Sequence, residues 1–167
     1  MTAATILAVA AFKDGKYSQS FPKFGVERRG APVEAFTRIS DEFIRRKSQV
    51  YEPDILVVLD STLFSAVDVT SGLKKGGLII VNTNKKPSEF NIKDAKVKTA
   101  DVTALALEVL GRDIVNTAML GAFAAFTGEV TKESIHEGIK EQFSGSLAEK
   151  NIKLVDRVYG EALKQDG

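Results

Sequence analysis

Arg28 and Arg29 stand side by side in FGVERRGAPVEAFTRIS, the stretch from Phe24 to Ser40. A guanidinium is a planar fork of donors suited to a phosphate or a carboxylate. Gly25 and Gly30 let the backbone turn on either side of the pair, and Pro32 sets the return to extended structure. Glu27, Arg28 and Arg29 are therefore expected to be displayed and not packed. Two readings stand for them. One is a solvated loop with a local ion pair, worth little on an exposed surface. The other is a cationic contact at a subunit boundary or on an anion, helped by N–H groups of the glycine turns. A contact role is favoured over catalysis.

A second set of polar residues follows two apolar runs. Asp60 ends ILVVL, and Asn82 and Thr83 follow LIIV. The carboxyl ends of parallel strands are where open α/β sheets place ligands, so these three are strand-end ligand candidates. Equally, Asp60 can cap a helix while Asn82 and Thr83 make a turn. Gly76 and Gly77 precede a strand, which makes them a turn and not a phosphate loop. His136 lies in ESIHEGIKEQF, a charged helical pattern without a second ligand type at metal spacing, and reads as a solvated surface histidine. No catalytic or metal-ligating residue is assigned.

Composition narrows the chemistry. The chain has 167 residues, no Cys and one His, so it supplies no thiolate for an iron–sulfur cluster or zinc site and no cysteine nucleophile. Twenty-three Lys and Arg against 22 Asp and Glu leave a net charge of +1, which argues against charge-driven binding to nucleic acid or a membrane surface. The apolar start MTAATILAVAAF lacks a basic leader and reads as a buried helix, not a signal peptide. No apolar run approaches the ~20 residues of a membrane span, so a cytoplasmic protein is expected.

The elements that must position these residues alternate. A helix is predicted from about Thr2 to Lys13, ended by Gly15, then an extended run from Tyr17 to Phe21. Val33 to Ser40 alternates apolar and polar residues as a half-buried strand does, and Phe43 to Val50 is predicted to extend and pair with it. Ile55–Leu59 and Leu78–Val81 read as strands covered on both faces. Between them Ser61 is expected to cap a helix running towards Leu73. A third strand, Lys96 to Ala100, leads to Asp101 as the cap of a helix through Leu110. Asn116–Phe126, Thr131–Phe143 and Leu147–Lys164 read as three helices. The pattern predicts one α/β domain over residues 1–167, layered, with a central parallel or mixed sheet flanked by helices and a C-terminal helical segment.

Four blocks carry a resemblance. They are AFKDGKYSQSFPKFGVERRGAPVEAFTRIS from Ala11, YEPDILVVLD from Tyr51, GLIIVNT from Gly77 and NTAMLGAFAAFTG from Asn116. In order and together they resemble the gamma subunit, or gamma domain, of 2-oxoacid:ferredoxin oxidoreductases, most closely the pyruvate enzyme. The resemblance implies a part in converting pyruvate, coenzyme A and oxidised ferredoxin to acetyl-CoA, carbon dioxide and reduced ferredoxin, or the reverse. It further implies that alpha, beta and delta-type partner subunits hold thiamine diphosphate, Mg2+ and iron–sulfur clusters. This chain would then bind no cofactor by itself and would act structurally near coenzyme A. Cofactors carry such chemistry while protein positions them, so a subunit without catalytic groups is physically sensible.

One departure accompanies the match. Members of that family usually begin with a short strand and a GGQG loop ahead of the alanine-rich helix, and this sequence starts inside that helix. Within the family the alternatives are gamma subunits of 2-oxoglutarate, branched-chain 2-oxoacid or indolepyruvate enzymes. Outside it, the alternative is a free-standing flavodoxin-like nucleotide-binding module using the strand ends, which would lack a proper phosphate loop.

Overall fold

The computed structural model describes residues 2–23 and 32–166. Helix α1, Thr2–Lys13, is apolar on nearly every side and buries Ile6, Leu7, Ala10 and Ala11. It ends where Gly15 adopts φ +80°, allowing Lys16 N–H to bond Ala11 O and Gly15 N–H to bond Phe12 O, both at 3.0 Å. The chain then reverses into an antiparallel hairpin of β1, Tyr17–Pro22, and β2, Ala35–Ser40, in the register Tyr17 to Ser40 through Pro22 to Ala35.

Here the structure corrects an expectation. Residues 43–50 form no strand, and the partner of β2 is β1. Tyr17–Pro22 takes that place because both of its faces find partners: Ser18 bonds α1 at Ala8 O, while Tyr17 and Phe21 on the other face meet Phe43 and Phe36.

A separate parallel sheet has the order β3–β4–β5, built from Ile55–Val58, Gly77–Asn82 and Ala95–Ala100. Central β4 is buried on both faces, as its unbroken apolar run requires. Ile80 joins the main core with α1 and the C-terminal helices, while Ile79 and Val81 join Val58 in a smaller cluster. The expected helix from Ser61 to Leu73 is reduced to α2, Leu63–Ala66. Asp60 Oδ1 accepts from Thr62 N–H and hydroxyl at 2.9 and 2.7 Å, and Asp68 Oδ1 repeats this with Thr70. These local turns compete with helical bonding, and the intervening β-branched Val67 and Val69 favour extended backbone. The second face of the sheet is accordingly covered by side chains such as Phe64 and Phe90, whose rings lie 5.2 Å apart.

Asp101 caps α3, Val102–Leu110, by accepting from Ala104 N–H at 3.1 Å, and Gly111 at φ +66° ends it. Three helices complete the chain: α4, Met119–Thr127; α5, Lys132–Gln142; and α6, Gly145–Asp166. Among the described residues, no helix is long and apolar enough to cross a membrane. The layered α/β class expected from the sequence is thus present, with the antiparallel pair as a second sheet.

Asp14 ties the end of α1 to the start of α5. Its carboxylate accepts Thr131 N–H and hydroxyl, each at 2.7 Å, and the Ser134 hydroxyl. Burial is the largest single influence on this carboxyl and pushes its pKa up. The bonds from Ser134 and Thr131, with Lys16 nearby, together outweigh it and hold the pKa below the ordinary 3.8. A lowered folded pKa means stabilisation that is complete above the unfolded value, from about pH 5, and fades as pH falls through 3.8 towards the folded value. Asp14→Asn is therefore expected to melt about 2–4 °C below wild type at pH 7. The gap should be narrower at about pH 3, below the ordinary 3.8. Parallel melts at the two pH values check this, and an equal gap at both would show that the charge of Asp14 contributes nothing.

Candidate functional site

Strand alternation gives the hairpin two different faces. Ser18 and Thr37 point to α1, donating to Ala8 O at 2.6 Å and Ala4 O at 3.1 Å, and Ile39 on the same face packs into the main core. Tyr17, Gln19 and Phe21, opposite Ser40, Arg38 and Phe36, make the outer face. Phe21 and Phe36 stack at 5.6 Å, and the Arg38 guanidinium lies 5.3 Å over the Phe21 ring.

Residues 43–49 cross this outer face without regular structure. Gln19 Nε2 donates to Ile44 O at 3.3 Å, Arg38 Nη2 donates to Ser48 O at 2.5 Å and Gln49 O at 3.2 Å, and Phe43 meets Tyr17 edge-on at 5.8 Å. Arg38 Nη1 is buried with no hydrogen-bond partner. Sequence reasoning missed this role of Arg38. The available signal was Gln19 and Arg38, two hydrogen-bonding side chains inside otherwise strand-like runs.

The arginine loop is the connection of this hairpin. At its base Lys23 N–H bonds Glu34 O at 3.0 Å, and their side chains form an ion pair at 2.7 Å. Pro32 is half-buried. Gly25, Glu27, Arg28, Arg29 and Gly30 lie outside the described residues.

The strand-end residues are well placed by the parallel sheet, but they are engaged differently. Asn82 is 7% exposed. Its Nδ2 donates to Leu59 O at 3.0 Å and Thr103 Oγ1 at 2.8 Å, and its Oδ1 accepts from Val102 and Thr103 N–H at 3.0 and 3.2 Å. Its hydrogen-bonding capacity is spent inside the fold, joining the end of β3 to the start of α3. Thr83 Oγ1 accepts from Lys85 N–H at 3.2 Å. Asp60 is exposed, and the Thr62 hydroxyl and N–H hold its carboxyl below the usual range. Asp60 and Asn82 thus border one edge of the parallel sheet, whereas Lys23 and Glu34 belong to the antiparallel hairpin.

His136 departs from the solvated residue expected. Its Nε2 lies 2.7 Å from Asp156 Oδ1, joining α5 to α6, and Lys132 shares that carboxylate at 3.5 Å. Amphipathic packing of two helices brings these side chains to one seam. Among the described residues, no three His, Cys, Asp or Glu side chains are grouped to hold a metal.

Comparison with known proteins agrees with this architecture. Residues 1–161 match the family described as pyruvate ferredoxin/flavodoxin oxidoreductase. The chain is 56% identical to the pyruvate/ketoisovalerate oxidoreductases common subunit gamma of Thermococcus kodakarensis, over 98% of this chain and 90% of that relative. It is also 56% identical to pyruvate synthase subunit PorC of Methanothermobacter marburgensis, over 100% of this chain and 92% of the relative. The crystal structure of pyruvate oxidoreductase subunit PORC from Thermotoga maritima superposes with a TM-score of 0.79 at 36% identity, covering 95% of this chain and 87% of that one. Nothing in these matches favours a free-standing flavodoxin-like module. Similarity at this level over nearly the whole length means that the chain belongs to the pyruvate ferredoxin/flavodoxin oxidoreductase family, as a gamma-type subunit of a multisubunit oxidoreductase.

Proposed function

We propose that this chain is the gamma subunit of a cytoplasmic pyruvate:ferredoxin oxidoreductase. The complex converts pyruvate, coenzyme A and oxidised ferredoxin to acetyl-CoA, carbon dioxide and reduced ferredoxin, or runs the reverse. The 56% identity to a pyruvate synthase subunit over the full chain carries this reading. With no Cys, the chain cannot ligate an iron–sulfur cluster through thiolates, so the clusters, thiamine diphosphate and Mg2+ belong on alpha, beta and delta-type partners. The present chain acts as one gamma domain that joins those partners.

Its contact with them runs through the hairpin connection, where Arg28 and Arg29, framed by Gly25, Gly30 and Pro32 and accompanied by Glu27, meet partner carboxylates or the coenzyme A phosphates. The ion-paired base at Lys23 and Glu34 supports a loop held at its root. Asp60 and Thr83 are secondary candidates for partner or ligand contact at the strand ends, reached past the structural Asn82.

A second reading of the substrate is favoured by one observation. Relatives at 56–58% identity carry names that join pyruvate and ketoisovalerate in one common gamma subunit. The chain would then also serve a branched-chain 2-oxoacid complex.

Anaerobic affinity purification from native cells, with viologen-linked turnover of each 2-oxoacid, tests the assignment. Coenzyme A-dependent pyruvate oxidation is expected, and recovery of a lone chain would overturn it. In that complex Arg28→Ala/Arg29→Ala is expected to weaken assembly or raise the apparent KM for coenzyme A by about tenfold, the size of one lost charge-assisted bond. Unchanged assembly and KM would remove the arginines from the contact.

A further inference from the structure

Arg45, Arg46 and Lys47 are the longest run of consecutive cations in the sequence. All three are exposed, and no ion pair or hydrogen bond engages their side chains among the described residues. Acidic neighbours are close in sequence, since Asp41, Glu42 and Glu52 are also exposed, yet none comes within ion-pair distance. Elsewhere the fold uses its lysines readily, for example in the bridges Lys13–Glu141, Lys74–Asp54 and Lys98–Asp166. Single lysines such as Lys93 and Lys150 also lack an ion pair among the described residues, so what distinguishes this strip is three unpaired cations in succession.

The backbone beneath them is held. Ile44, Ser48 and Gln49 each give a carbonyl to a hairpin side chain, so the three cations ride on a segment fixed just before and just after them. This anchoring leaves Arg38 Nη1 buried and unpaired, a cost that an ordinary surface loop has no reason to carry. Exposed aromatic side chains flank the run: Phe43 is 69% exposed and Tyr51 72%. A cationic strip with aromatic borders on a prepositioned backbone has the make-up of a protein interface, where Arg and aromatics are enriched.

Charge and composition select the occupant. Three adjacent exposed cations call for an anionic partner, and the exposed rings of Phe43 and Tyr51 beside them suit a protein face. A net charge of +1 also gives no broad field for nucleic acid.

We propose that Phe43 to Lys47, on the outer face of the hairpin, is a docking surface for a carboxylate-rich face of a partner subunit. This rests on the gamma-subunit reading and names a contact separate from the arginine loop. Opposed charges across such a surface set the association rate and its salt dependence.

The test is reconstitution of the complex with Arg45→Glu/Arg46→Glu/Lys47→Glu, read by native mass spectrometry across ionic strength. A matched control is Lys85→Glu/Lys93→Glu/Lys150→Glu, three exposed residues given the same change in net charge. The strip variant is expected to associate at least about tenfold more weakly at low salt, with the difference shrinking as salt rises. The control should assemble as wild type does. Thermal unfolding of each chain separates docking from folding, and Phe43→Ser provides a variant that alters the strip without touching charge. Wild-type association of both strip variants, or equal weakening by the control, overturns the docking surface alone. Failure of the wild-type chain to join any partner takes the gamma-subunit reading down with it.

Discussion

Gly121→Ala is expected to lower the melting temperature by roughly 5–10 °C, because α4 and α6 touch backbone to backbone at this residue. A Cβ on Gly121 would stand 2.5 Å from Val155 O and 3.1 Å from Tyr159 N. Both are main-chain atoms, so relief requires moving a helix and not a rotamer. Alanine would otherwise gain up to about 1 kcal/mol over glycine in a helix, and a net loss therefore measures the clash against that gain. Gly160 is the internal control. It sits in α6 with nothing within 4 Å of its added Cβ, and Gly160→Ala should stabilise the chain by about 0.5–1 kcal/mol. Thermal denaturation of both variants decides the matter. Equal or higher stability of Gly121→Ala would mean the two helices are free to separate. Gly138 makes a similar approach to Ile6 O at 2.9 Å between α5 and α1.

Asn82→Leu should be as damaging for a different reason. Leucine keeps the volume but leaves Leu59 O, the Val102 and Thr103 N–H groups and the Thr103 hydroxyl without Asn82. Stranding several partly or fully buried polar groups costs about 3–5 kcal/mol, or roughly 6–20 °C in a chain of this size. Asn82→Asp separates donor from acceptor. An aspartate retains an oxygen for the two N–H groups and loses the donor to Leu59 O, so a smaller loss is expected at neutral pH. That carboxylate would face a carbonyl, which raises its folded pKa. Stability should then recover as pH falls and the protonated carboxyl can donate again. A melt of Asn82→Leu indistinguishable from wild type would show that the junction of β3, β4 and α3 is held by packing alone.

Local chemistry made several elements readable in advance. Asp101 before Val102–Leu110, with Gly111 after it, is a helix with both ends written in adjacent residues. Ile55–Val58 and Gly77–Asn82 needed only unbroken branched apolar runs. The helix expected across 61–73 failed because Asp60 and Asp68 each close a turn with the threonine two residues on, an alternative that periodicity does not weigh. The pairing expected for 43–50 failed because strand partnership depends on which face finds a core, and β1 brought the complementary one.

The candidate site divides in the same way. Residue types and their order along the chain were enough to mark the arginine loop, the absence of thiolate chemistry and the family resemblance, since each is a property of neighbours in sequence. Only the tertiary structure decided that Asn82 is a buried junction, that His136 meets Asp156, that Asp14 bonds Ser134 far along the chain, and that Gln19 and Arg38 pin residues 44 and 48–49 beneath three free cations. The physical reason is range. Caps, turns and strand runs are stabilised by groups a few residues apart, whereas these partners meet only after packing of the apolar core has brought distant segments together.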